Sequence, residues 1–182
     1  DCNVCVVGGA GFLGSHLVDH LIIDRHCKVL VIDNLVAGKR EFVHREAKFI
    51  HHDITGSEHF LKEVFQRERI DYCFNYAAYP YIPVSFARPL HVSDVNAFGA
   101  MKVINAAEES GVKGILQVSS AEIYGNGNVK KVDANETELF GVGAIDENGQ
   151  VKPHSTYGVS KAMIDAWIQV RAKEANTPCI AL

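Results

Sequence analysis

No stretch of this chain approaches the roughly 20 consecutive apolar residues of a membrane-spanning helix, and no signal-peptide pattern opens it. Neither sign of charge dominates. Eighteen Lys and Arg against 22 Asp and Glu leave a net charge of −4, dispersed along the chain. The electrostatic footprint of a nucleic-acid or anionic-membrane binder is therefore missing. Cysteine is sparse and odd in number, at five, which suits free thiols in a reducing compartment and a cytoplasmic location. Cys2 and Cys5 have metal or redox spacing but fall on one expected strand, where residues three apart point to opposite faces. No shared sulfur site and no metal is expected. Internal repeats and low-complexity tracts are also absent.

What is present is 182 residues, 47% of them hydrophobic, enough for one large domain with a substantial core. The organising stretch is Val4-Cys5-Val6-Val7-Gly8-Gly9-Ala10-Gly11-Phe12-Leu13-Gly14. Its β-branched run reads as a buried strand that stops at glycine and gives way to helical spacing through Leu17, Val18 and Leu21. Gly8 permits a tight turn, Gly11 lets a pyrophosphate approach bare backbone, and Gly14 lets the helix pack close to the sheet. The helix N-terminus offers free N–H groups and a positive dipole end to phosphate. A second buried run, Lys28 to Asp33, ends in an acid nineteen residues after Gly14, close to the spacing expected of a ribose-binding carboxylate. A carboxylate there repels a 2′-phosphate, so NAD is expected over NADP. Lys39 and Arg40 read as a solvated pair.

Along the chain, strands are expected near 3–7, 28–33, 48–52, 72–76, 114–119 and 178–182, and helices near 12–24, 57–69, 91–110 and 155–176. The alternation predicts an α/β fold, a doubly wound parallel sheet of Rossmann type. Two connections stand out. Residues 77–90 carry three prolines and two tyrosines, and residues 125–154 form a long polar stretch. Both follow strand C-termini, where open α/β sheets bind ligands. The chain opens on Asp1 and stops inside an apparent strand, so it reads as a fragment, an NAD-binding domain over 1–182 with more chain to follow.

The chemistry-bearing set closes the argument. Tyr157 and Lys161 are one helical turn apart on the last long helix. A free tyrosine, with a pKa of about 10, is a poor base, and a nearby ammonium favours its phenolate. Tyr157 can then remove a hydroxyl proton as hydride leaves the same carbon. Ser120, at the tip of the fifth strand, can hydrogen-bond a substrate oxygen. Asn96, inside an apolar helical stretch, reads as a buried polar residue that holds local backbone or water. A role in a catalytic relay is compatible with that.

These pieces resemble the extended short-chain dehydrogenase/reductases, specifically the NAD-dependent sugar-nucleotide epimerases and dehydratases typified by UDP-galactose 4-epimerase. The resemblance rests on residues 8–14, Asp33-Asn34-Leu35, Asp53-Ile54, Ala77-Ala78, Asn96, Ser119-Ser120 with Tyr124-Gly125, and Tyr157-Gly-Val-Ser-Lys161. It implies Ser120, Tyr157 and Lys161 as the catalytic set with Asn96 in support. It implies an NAD site of Gly8, Gly11, Phe12, Leu13, Asp33, Asn34, Asp53, Ile54, Ala77, Ala78, Tyr157 and Lys161, with Asp53 and Ile54 at the adenine. Tyr79, Ser85 and Glu122 are substrate candidates. A nucleotide-sugar substrate and a homodimer through the two long helices are also implied. Departures narrow the reaction. Asn75-Tyr76 stands where many members carry His-Leu. Ala121 replaces the acid that 4,6-dehydratases place before their glutamate, which argues against dehydration, while Glu122 keeps a decarboxylase open. The expected function is a 4-epimerase working through a transient keto-sugar. A decarboxylase or dehydratase of the same family, or a non-catalytic NAD-binding or redox-sensing module, are the alternatives. The insertion 126–143 is expected to cover the sugar site.

Overall fold

The computed structural model describes residues 2–125 and 149–182. The short apolar runs form six parallel strands: β1 (Asn3–Val7), β2 (Lys28–Asp33), β3 (Lys48–His51), β4 (Tyr72–Asn75), β5 (Gly114–Gln117) and β6 (Cys179–Ala181). They lie in the order β3-β2-β1-β4-β5-β6. The chain steps outward from β1 to β3 and then returns to the other side of β1. A crevice is left outside the C-terminal ends of β1 and β4, the switch point where such sheets bind ligands. Val7 is level with both Ile32 and Asn75, so the turn after β1 is flanked by the loops after β2 and β4.

The helices are α1 (Phe12–Ile23), α2 (Glu58–Glu68), α3 (Ile82–Ala87), α4 (Pro89–Ser93), α5 (Ala100–Glu109) and α6 (Thr156–Arg171). Strand alternation sorts the core into two layers. Cys5, Val7, Leu30 and Ile32 pack with Leu61, Phe65, Ile104 and Ile164 of α2, α5 and α6. Val4, Val6, Val29 and Val31 pack with Val18 and Leu21 of α1. Cys2 lies against the second layer and Cys5 in the first, the opposed placement that two-residue periodicity requires. All five cysteines are free thiols. Among the described residues, no helix is long and apolar enough to cross a membrane.

Two expectations are amended. The connection over 77–90 holds α3 and the start of α4, each with a proline in its first turn, where a missing N–H forfeits no helical bond. The helix expected over 91–110 is composite: the end of α4, a π-helical turn over Asp94–Gly99, and α5. A π turn inserts one residue per turn without altering composition, so apolar spacing does not reveal it. The insertion at 126–143 lies outside the described residues.

Candidate active site

A groove of about 460 Å³ opens at the switch point. Its floor is the β1–α1 turn. Gly8 takes a φ of +80°, and a Cβ there would stand 2.6 Å from the Ala77 nitrogen. A Cβ on Gly14 would meet the Gly8 carbonyl oxygen directly and lie 2.9 Å from Gly9 Cα. Only glycine allows these backbones to meet, and the result is a bare cradle beneath the N-terminus of α1. Gly11 occupies the cap position with no side-chain cap and no acid in the first turn, leaving the amides and the positive dipole end for an anion. Phe12 and Leu13, 73% and 60% exposed, line the groove with Gly8, Gly11 and Gly14.

Asp33 ends β2 beside this cradle. Its Oδ2 accepts the Ala10 N–H at 3.0 Å and its Oδ1 the Leu35 N–H at 2.8 Å. Two of the roughly four acceptor sites of a carboxylate are thus used to brace the turn, and two are left for hydroxyl groups. Lys39 pairs with Glu41 at 3.7 Å and Arg40 lies over the Phe49 ring; neither lines the groove. Asp53 and Ile54 form the next wall. Burial pushes the Asp53 carboxyl up, but donors from Thr55 N–H, Asn34 Nδ2 and Thr55 Oγ1 outweigh it and hold the group below its ordinary value. Asn34 therefore faces the groove as the partner of Asp53.

Ala77, Ala78, Tyr79, Val118, Tyr157 and Lys161 line the other end. Lys161 is 2% exposed and Nζ donates to the Val118 carbonyl at 2.7 Å. Burial lowers its pKa to about 8, with the Asp165 carboxylate opposing. Tyr157 is buried one turn earlier on the same face.

Asn96, Ser120, Ser85 and Glu122 are not among the residues lining the groove. Asn96 works on backbone instead. Its Oδ1 accepts the Tyr79 N–H at 2.6 Å, and its Nδ2 donates to Tyr79 O and to Ser160 Oγ, both at 3.2 Å. Ser160 Oγ in turn donates to the Tyr157 carbonyl at 2.7 Å. The amide thereby ties the loop after β4 to the first turn of α6. Ser120 caps a 3-10 turn over Ala121–Tyr124, its Oγ accepting the Glu122 N–H at 3.2 Å. Ser85 is fully buried in α3, and its Oγ has no hydrogen-bond partner among the described residues. Glu122 Oε2 lies 3.7 Å from His154 Nε2. Sequence reasoning missed His91, which lines the groove from α4 with its ring edge-on to Tyr79 at 5.4 Å. Its only sequence signal was a position one turn before Val95.

Comparison with known proteins fits this geometry. The family model described as "NAD dependent epimerase/dehydratase family" matches residues 4–182. The chain belongs to that family. Among family relatives, it is 36% identical over 163 residues to a UDP-glucose 4-epimerase of Streptococcus mutans, covering 89% of this chain and 45% of that protein. It is 32% identical over 179 residues to a mouse dTDP-D-glucose 4,6-dehydratase, covering 92% of this chain and 45% of that protein. The Thermus thermophilus UDP-glucose 4-epimerase solved with NAD matches with a TM-score of 0.81 and 28% identity, over 98% of this chain and 53% of that one. The chain thus spans about half the length of the relatives it matches. The groove fits the dinucleotide of the family's name: a side-chain-free cradle, a helix N-terminus and a carboxylate with free acceptor sites lie along one wall.

Proposed function

We propose that this chain is the NAD-binding part of a sugar-nucleotide epimerase acting at C4 through a transient keto-sugar. One observation carries the reading: Tyr157 and Lys161 share a helix face and line the groove that also holds the glycine cradle and Asp33. Gly8, Gly11, Phe12 and Leu13 would hold the pyrophosphate, Asp33 the adenosine ribose, and Asn34, Asp53 and Ile54 the adenine end. Ala77 and Ala78 would flank the cofactor, and Lys161 would donate to the nicotinamide ribose. The bound cofactor supplies a ring that accepts hydride from a sugar carbon and returns it, so it is not consumed. The Tyr157 phenolate, favoured by the Lys161 ammonium one turn away, takes the sugar hydroxyl proton, and the resulting phenol gives it back. Ser120 donates to the oxygen as it changes between alcohol and ketone. Asn96 acts at one remove, by holding the Tyr79 backbone and, through Ser160, the start of α6. Tyr79 is the first substrate contact in this reading.

A decarboxylase or dehydratase is the second reading, favoured by Glu122 beside His154 and by dehydratase relatives. Ala121 weighs against dehydration. The reading includes a homodimer through the two long helical segments and a cytoplasmic location consistent with the free thiols. The test incubates the full-length protein with NAD and UDP-, GDP-, CDP- and dTDP-sugars, following product mass and proton NMR. Unchanged mass with a new sugar spectrum is expected. Loss of water or carbon dioxide selects the second reading, and tight NAD binding without conversion would mean a sensor module.

A further inference from the structure

We propose that Asp165 is a positioning residue of the catalytic apparatus, whose carboxylate, held by Ser119 at the tip of β5, sets a negative charge one helical turn from the buried Lys161 ammonium. The proposal rests on the reading of Lys161 given above.

Lys161 and Asp165 are one turn apart on α6 and share a face. Each is tied to one of two consecutive residues just beyond β5: Lys161 Nζ donates to Val118 O at 2.7 Å, and Ser119 Oγ donates to Asp165 Oδ2. The strand tip therefore grips both members of the pair. Ser119 has no other part in the site, since Ser120 is the serine assigned to the substrate. The second carboxylate oxygen, Asp165 Oδ1, is buried and accepts no hydrogen bond among the described residues. Such an oxygen is costly to bury, and a positive charge one helical turn away on the same face is the kind of group that offsets the cost.

The electrostatics run the same way. Burial pushes Lys161 down and Asp165 opposes it. Burial pushes Asp165 up, and the Ser119 hydroxyl and Lys161 oppose that. Helix α6 packs against the 3-10 turn, α3, α4, the π turn and β6. The ionisable side chains on those elements are Glu122 and Tyr124, His91, Asp94 and Cys179, with none on α3. Asp165 alone exerts a charge effect on Lys161 among the described residues.

The experiment titrates the Lys161 side chain by carbon NMR in the full-length, NAD-loaded protein, assigned with Lys161→Arg, and compares Asp165→Asn, Asp165→Glu and Ser119→Ala with wild type. The expected result is a midpoint lowered by about one pH unit in Asp165→Asn. Asp165→Glu should restore most of it, and Ser119→Ala should show a smaller shift of the same sign. The alkaline limb of the turnover profile should move with the midpoint. An Asp165→Asn midpoint that superimposes on wild type overturns the proposal. If Asp165→Asn does not fold, a Ser119→Ala midpoint that superimposes on wild type does so. The titration needs no sugar substrate, so a protein that converts no nucleotide sugar sinks the functional reading and leaves this one measurable.

Discussion

Replacing Lys161 with methionine should make the fold more stable at neutral pH while ending turnover. Lys161 is 2% exposed, and burial, opposed by Asp165, takes its pKa from 10.5 to about 8. At about 1.4 kcal/mol per unit, the folded ammonium carries a penalty of about 3 kcal/mol. Between those two pH values the unfolded chain binds more protons than the folded one, so stability rises with pH there. The penalty is complete below about pH 8 and gone above the ordinary lysine value. Methionine keeps the apolar stem without the charge. It also loses the 2.7 Å bond to Val118 O, worth about 1 kcal/mol. The net expectation is a gain of about 2 kcal/mol near neutrality, narrowing through the alkaline range and reversing beyond it. Urea unfolding of both proteins across pH measures it. The half-buried Cys179 thiol acts in the opposite sense: desolvation pushes it up to about 12, so its contribution is lost as pH rises through that value. That contribution is common to both proteins and cancels in the difference. A stability difference that does not change with pH would refute the reasoning.

Tyr157→Phe should abolish turnover and leave NAD bound; calorimetry with an activity assay checks both, and activity above about a tenth of wild type would remove Tyr157 as the base. Asp33→Ala should weaken NAD at least tenfold, since hydrogen bonds to a carboxylate contribute about 1.5–3 kcal/mol each, and should relax discrimination against NADP. Equal affinity of the wild type for the two cofactors would sink that argument. Glu122→Gln should leave epimerase turnover nearly unchanged, whereas a loss of a hundredfold or so would favour elimination or decarboxylation chemistry.

The linear chain determined those features whose cause is local. The β-branched runs at Val4–Val7 and Lys28–Asp33 could only alternate between two faces, and they supply both core layers. Glycines at 8 and 14 stand where a Cβ would strike backbone, a requirement legible as spacing. Tyr157 and Lys161 share a face because four residues make a helical turn. Tertiary structure alone decided what depends on distant packing. Asn96 reads from the sequence as a buried residue that holds backbone, but which backbone only the fold decides: the π turn directs it at Tyr79, 17 residues away. Ser85 was a substrate candidate by type, and the packing of α3 buries it. Asp165 looked like any helix acid until the sheet brought Ser119, 46 residues earlier, against it. Local periodicity specifies which face a side chain occupies, but the partner waiting there is set by how the layers dock, and that information is spread over the whole core.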